Sequence, residues 1–167
     1  MAGDASFEIV HLVDMPQAAA TLECWFVEEW TPWYGPGGQG DAAADLAACA
    51  GRDTLPICLV AAGRGGDVLG TVALRAESVG SDSAPGPWLA ALLVGRPYRG
   101  RGVATALVAA IAAEARRLGY GAIYTSTDSA ADIMRRQGWQ PRGEAASLRG
   151  KITIFRRDLG PESASDA

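Results

Sequence analysis

Apolar and polar positions alternate through FEIVHLV, residues 7–13, a period that predicts a first strand. Asp14 and Pro16 then signal a helix start, and Leu22, Trp25, Phe26 and Glu29 recur at helical spacing, with Glu23 and Glu28 on more polar flanks. That helix is expected to reach about Trp30, where Thr31-Pro32 would end it. WTPWYGPGGQG holds four glycines, two prolines and three aromatics, which describes a loop with a free backbone and large side chains. Asp41 is placed to cap a short helix through Ala50. Residues 54–62 and 68–76 read as strands joined by the glycine-rich turn GRGGD, so they should pair antiparallel. ESVGSDSAPGP reads as a loop, and WLAALLV, Trp88 to Val94, as a buried strand. From Gly102 onward Val103, Leu107, Ala110, Ile111 and Leu118 share one helix face. Arg116 and Arg117 suit the dipole at the end of that helix, and Gly119 supplies the stop.

The length of 167 residues fits one domain, expected over 1–159, and leaves no room for a second catalytic one. GPESASDA is small and polar, so residues 160–167 are expected to be a disordered tail. A formal net charge of −4 argues against sequence-independent nucleic-acid binding, so the arginines at 96–101 read better as a ligand site. No apolar run reaches membrane-spanning length and MAGDASFEIV lacks the pattern of a signal peptide; a cytoplasmic protein with no membrane partner is expected. Cys24, Cys49 and Cys58 form no C-x-x-C and His11 is the sole histidine, so neither a disulfide framework nor a metal site is expected. The cysteines read as small buried hydrophobes.

The chemistry concentrates where WLAALLV runs into GRPYRGRGVA and a long alanine-rich helix. N–H groups in the first turn of a helix have no internal partner and the dipole adds positive potential, so a strand, a glycine-arginine loop and a helix start make an anion site. Gly100 and Gly102 permit close backbone approach, and Arg96, Arg99 and Arg101 supply forked donors suited to phosphate. A Walker A loop fails, because no Gly-Lys pair is followed by Ser or Thr. A dinucleotide fingerprint matches Gly100 and Gly102 but meets Thr105 where its third glycine belongs. The pattern R/Q-x-x-G-x-G/A is satisfied completely by Arg99-Gly100-Arg101-Gly102-Val103-Ala104.

On these residues the sequence resembles the GNAT N-acetyltransferase family, and WLAALLVGRPYRGRGVA looks like a small bacterial subgroup of it. GYGAIYTST, DSAADIMRRQGW and KITIFRRDL follow in the order of the family's fifth strand, short helix and final hairpin. The resemblance implies an α/β (α+β) fold, a mixed, mostly antiparallel sheet of about six to seven strands flanked by about four helices. It implies acetyl coenzyme A as cofactor, bound by Leu92, Leu93, Val94, Arg99, Gly100, Arg101, Gly102, Val103, Ala104, Thr105 and Thr127. In the family the fourth strand bulges and splays from the fifth, and a backbone N–H there polarises the thioester carbonyl. Dimers are common in the family, so a homodimer is compatible with the resemblance.

One position departs from the family. A tyrosine that protonates the thiolate often stands four residues before the Gly-aromatic pair, and here Met134 stands four before Gly138-Trp139. Tyr124 and Tyr98 are the substitutes to consider, and a base for the amine must come from Glu77, Asp82, Asp128 or water; Glu77, expected to close the third strand, is the first choice, and Asp128 is equally suited to cap the following helix. Glu28, Glu29, Trp30, Trp33 and Tyr34 combine carboxylates with aromatic faces and would hold a cationic small-molecule amine. The sequence therefore points to acetyl transfer onto a small primary amine in a ternary complex. A non-catalytic acyl-coenzyme-A-binding module and a dinucleotide-binding oxidoreductase remain as alternatives.

Overall fold

The computed structural model describes residues 6–160; apart from Gly160, the expected polar tail lies outside the described residues. Seven strands form one sheet: β1 Phe7–His11, β2 Ile57–Gly63, β3 Val68–Arg75, β4 Trp88–Val94, β5 Ala122–Thr127, β6 Gln140–Ser147 and β7 Gly150–Asp158. Their spatial order is β1-β2-β3-β4-β5-β7-β6, and every neighbouring pair is antiparallel except β4 with β5. Five helices accompany them: α1 Ala18–Glu29, α2 Thr31–Tyr34, α3 Ala42–Ala48, α4 Val103–Arg117 and α5 Ala131–Arg136. This is the mixed, mostly antiparallel architecture expected, with the additional helix being the four-residue α2. The β2–β3 hairpin, closed by a Gly63 N–H to Asp67 carbonyl bond of 2.8 Å, stands where a doubly wound dinucleotide fold needs a crossover helix. That topology is not the doubly wound fold on which the oxidoreductase alternative depends.

The two faces of the sheet carry different cores. On one, Val103, Leu107, Val108 and Ile111 of α4 and Met134 of α5 pack on Leu59, Val72, Leu74, Leu89, Ile123 and Phe155. On the other, Leu22 and Phe26 of α1 and Leu46 of α3 pack on Cys58, Val60, Ala62 and Leu93. The helices obey their periodicities, since Ala18, Leu22 and Phe26 are the buried set of α1 at i, i+4 and i+8. His11 of β1 lies 3.3 Å from Glu114 of α4, and Arg117 reaches both Glu114 and Asp53 at 2.8 Å, tying the helix end to the segment before β2.

Several boundaries differ from the sequence reading. β1 ends at His11 because Leu12–Asp14 turn into a 3-10 helix, and the carboxylate of Asp14 pairs with Arg52 instead of capping α1. Thr31-Pro32 does not begin a loop. The Thr31 hydroxyl donates to the carbonyl of Val27 at 2.8 Å, closing α1, and Pro32 sits in the first turn of α2, where its missing N–H costs nothing. Asp41 does cap α3, accepting from the Ala44 N–H at 3.0 Å, but that helix stops at Ala48. β2 starts at Ile57 and β3 ends at Arg75, which leaves Glu77 in the following loop instead of closing the strand. Of the cysteines, Cys49 and Cys58 are buried as expected while Cys24 is exposed.

Candidate active site

The glycine-arginine segment folds as the strand-turn-helix that its residues predict. After β4, Gly95 donates to the Leu69 carbonyl at 2.9 Å, a 3-10 turn spans Arg96–Tyr98, and the chain enters α4 through Gly102. Gly100 has φ +78° and Gly102 +81°, left-handed conformations that favour glycine at both positions. The first intrahelical bond is donated by Ala106 to the Gly102 carbonyl at 3.0 Å, so the N–H groups of Val103, Ala104 and Thr105 precede it and face outward. Arg99 turns its Nε back to the Val94 carbonyl at 3.0 Å and thereby pins the loop to the strand end. Arg96 and Arg101 are exposed and meet no acid among the described residues. Three cationic side chains thus surround a helix start with free donors, an arrangement suited to a pyrophosphate.

The seating of α4 depends on a residue the sequence reading did not single out. A Cβ at Gly70 of β3 would lie 3.0 Å from the Leu93 carbonyl oxygen and 3.1 Å from both Leu107 and Val103 side chains. Glycine there lets the first turn of α4 approach the sheet closely. Gln137 fixes the same turn from the other side, its Nε2 donating to the Thr105 carbonyl at 2.9 Å.

Beside the loop, β4 parts from β5. The two strands pair only at Trp88 with Tyr124 and Leu89 with Thr125, where the Thr125 hydroxyl also donates to the Leu89 carbonyl at 3.0 Å. On the β3 side the register passes from Ala73–Ala90 to Thr71–Leu93, so Ala91 and Leu92 together oppose Val72 and form a bulge. Ala91 has φ +53° and is the one non-glycine residue with positive φ among the described residues. From Ala90 onward the β5-side edge of β4 therefore lacks a strand partner. Nothing in WLAALLV marks Ala91 for this conformation, since its Cβ carries the left-handed penalty that glycine avoids and asparagine or aspartate bear more readily.

The candidate proton-transfer groups separate along this strand pair. β4 and β5 are parallel, so their C-terminal ends flank the open end of the gap, and Asp128, directly after β5, is exposed there. β3 runs the other way, and Arg75 pairs with Trp88, so Glu77 is exposed at the closed end. Asp82 is exposed in the same loop as Glu77. Tyr124 also stands at the closed end, its ring 5.5 Å from that of Trp88 and 5.8 Å from the Arg156 guanidinium. Thr127 closes the turn that leads into α5, its Oγ1 accepting from the Ala130 N–H at 2.9 Å, and α5 itself has no side-chain cap from Asp128 or any other residue. Met134 is wholly buried in the core beneath α4.

The carboxylate-aromatic group at α1 and α2 divides into exposed and packed members. Glu28 and Trp33 are exposed. Glu29 lies 3.7 Å from Arg149 in the β6–β7 turn, a contact that bridges α1 to the far edge of the sheet. Trp30 packs edge-on against Phe26 at 5.2 Å, and Tyr34 stacks on Phe26 at 5.8 Å. The Tyr34 hydroxyl donates to Asp45 at 2.6 Å, and Asp45 lies 3.7 Å from Arg75. Burial first, then the bond to Asp45, pushes the Tyr34 pKa up to about 12. Nearby, the neighbouring Cys49 thiol and burial push the Cys58 thiol well above its ordinary value. Among the described residues no group of His, Cys, Asp and Glu is arranged to hold a metal, and no helix is long and apolar enough to cross a membrane.

Comparison with known proteins gives the same picture. The model of the acetyltransferase (GNAT) family matches residues 20–139. No curated protein sequence matches. Among solved structures, an aminoglycoside 6'-N-acetyltransferase complexed with coenzyme A superposes with a TM-score of 0.72 at 15% identity, covering 93% of this chain and 99% of that one. A putative acetyltransferase from Salmonella typhimurium with its cofactor acetyl-CoA gives 0.71 at 19% identity, covering 96% and 98%. An aminoglycoside 6'-acetyltransferase type Ii gives 0.71 at 17%, covering 93% and 99%. At such identities the likeness is one of fold.

Proposed function

The chain belongs to the acetyltransferase (GNAT) family, and from that premise we propose that it transfers an acetyl group from acetyl coenzyme A to a small primary amine, with both bound at once. The observation that carries the reading is the adjacency of two features on one strand-turn-helix: donors free at the start of α4, and a bulged β4 parted from β5 just upstream.

The residues present fit the cofactor. Arg96, Arg99, Arg101, Gly100, Gly102 and the N–H groups of Val103, Ala104 and Thr105 would hold its pyrophosphate. The open edge of β4 along Leu92, Leu93 and Val94 would pair with the amides of its pantetheine arm. When bound, acetyl coenzyme A supplies an acyl group activated as a thioester whose leaving thiol, with a free pKa of about 8.5, needs little protonation near neutral pH. That property suits a site in which Met134 is a core residue.

A backbone N–H in the bulge is a fixed donor for the acyl oxygen, and comparable donors are worth about 3–4 kcal/mol in other enzymes. Asp128 at the open end of the gap takes the proton of the amine, directly or through water. Glu77, at the closed end, is the weaker candidate for that task. Tyr124, packed against Trp88 with its ring tilted, bounds the acceptor side. Glu28 and Trp33 offer the incoming amine a carboxylate and an aromatic face, Glu29 adds charge while Arg149 steadies it, and Trp30 and Tyr34 hold the shape of that wall.

Calorimetric titration with acetyl coenzyme A, NAD and ATP tests the cofactor assignment. Selective micromolar binding of acetyl coenzyme A is expected. A preference for NAD, or no binding of acetyl coenzyme A, would sink it.

A further inference from the structure

A cavity of about 320 Å3 lies away from the glycine-arginine loop, lined by Ser83, Tyr124, Arg142, Glu144, Ile154 and Arg156 among others. Its floor follows from strand register. Tyr124 of β5 stands opposite Arg156 of β7, and Ile154 is two residues along, so these side chains share a face. The intervening Phe155 and the neighbouring Ile123 belong to the core beneath α4. The cavity and α4 therefore occupy opposite faces of the sheet, and β4 and β5 lose their pairing beyond Leu89 and Thr125, next to this floor. A ligand in the cavity and a cofactor seated at α4 would meet through that gap. This placement is the one two substrates need, so the inference rests on the acetyl-transfer reading.

The charge of the cavity specifies what it would hold. Arg156 gives one Nη to Asp158 at 2.9 Å and lies over the Tyr124 ring, while its Nε is buried without a hydrogen-bond partner. Arg142, the bulge residue of β6, is exposed and meets no acid among the described residues. The single lining acid, Glu144, has Lys151 at 4.0 Å. Lys151 offsets Glu144 and Asp158 offsets part of Arg156, which leaves Arg142 uncompensated; that surplus of positive charge favours an anion, and a planar carboxylate suits guanidinium donors. The cavity volume suits a small molecule. Its distance from the bulge sets the size of that molecule. Trp88 pairs with Tyr124, and Ala91 and Leu92 lie three and four residues further along β4, which at about 3.3 Å per residue is roughly 10–13 Å.

We propose that the acceptor is an amine that also carries a carboxylate, held by Arg156 and Arg142 about 10 Å from its nucleophilic nitrogen. An extended peptide of about three residues has this reach.

Triglycine and its C-terminal amide are the probes, titrated calorimetrically into the full chain with and without saturating coenzyme A. Triglycine should bind about 10- to 100-fold more tightly than the amide, the range expected for hydrogen bonds to a charged group. Arg156→Gln should abolish that preference, Arg142→Gln should reduce it, and Arg156→Lys should retain part of it. Coenzyme A titrations and thermal melts of the same variants show whether they are folded. Equal binding of the two peptides, no binding of either, or a preference that survives both glutamine substitutions would overturn the inference. Coenzyme A binding is read in the same series, so its absence would fail the cofactor assignment separately, whatever the peptides do.

Discussion

The anion site and the acceptor side of this molecule are assembled by different means. The anion site is one uninterrupted run of chain, Gly95 to Thr105, and most of what it presents is backbone: the glycine conformations at 100 and 102 and the N–H groups before Ala106. The acceptor side gathers α1, α2, the loop after β3, and strands β5, β6 and β7, and presents side chains, many of them already engaged with one another. A site made of backbone depends on how its helix is seated and how its loop is turned. A site made of side chains depends on which partners each one keeps. Substitutions should therefore separate the two.

The largest effect is expected at Gly70, which is remote in sequence from the loop but sets the approach of α4. Gly70→Leu would place atoms within 3.1 Å of Val103, Leu107 and the Leu93 carbonyl and displace the first turn of the helix. Overpacking of this kind costs about 1–3 kcal/mol or more, which for a chain of this size lowers Tm by several degrees, roughly 5–10 °C. Coenzyme A affinity should fall more than tenfold with it. A lowered Tm with unchanged affinity would show that helix seating does not govern the anion site.

A smaller and more local effect is expected at Gly102. A β-branched residue is strained at φ +81°, so Gly102→Val should let the free loop relax out of the left-handed conformation. Restoring it on binding would cost about 1–2 kcal/mol, a loss of roughly tenfold in coenzyme A affinity. No neighbour lies within 4 Å of a Cβ there, so no clash adds to the backbone strain and Tm should fall less than in Gly70→Leu. Calorimetry beside a thermal melt distinguishes this outcome from that of Gly70→Leu.

The same contrast explains what could be read without coordinates. Strand, glycine-arginine loop and helix are contiguous, and both the periodicity and the spacing of Arg99, Gly102 and Ala104 are local signals. The β2–β3 hairpin was equally legible from GRGGD, and Asp41 from its position before an alanine-rich run. Gly70 was not, because its importance comes from Leu107 and Val103, which lie across a sheet and a helix. Arg142 and Arg156 were missed because nothing near either in sequence marks a ligand; only the pairing of β7 with both β5 and β6 brings them to one cavity. Thr31-Pro32 did mark the end of α1, but reading the residues after it as loop missed α2, because proline can also open a helix and here Pro32 enters one. The parting of β4 from β5 was expected through family resemblance, whereas the residue that turns the bulge, Ala91, carried no cue, because an alanine gives no local reason for a left-handed conformation.

The smallest effect is expected at Tyr34, where the side-chain character of the acceptor side can be tested against the anion site directly. Tyr34→Phe removes the 2.6 Å bond to Asp45 and should cost about 1 kcal/mol of stability at neutral pH, because the packing on Phe26 is retained. The sign of its pH dependence follows from a folded-state pKa raised from 10.0 to about 12. The neutral hydroxyl is favoured by folding, so its contribution is complete below pH 10 and is lost as pH rises towards 12. The wild-type chain should accordingly lose stability across that window, and Tyr34→Phe should lose less, as measured by denaturant unfolding at a series of alkaline pH values. Coenzyme A affinity should be the same in both proteins, since Tyr34 touches neither the loop nor α4. A parallel fall in coenzyme A affinity would mean that the two regions are coupled through α1, whose Trp25 ring comes within 2.8 Å of where a Cβ on Gly95 would stand.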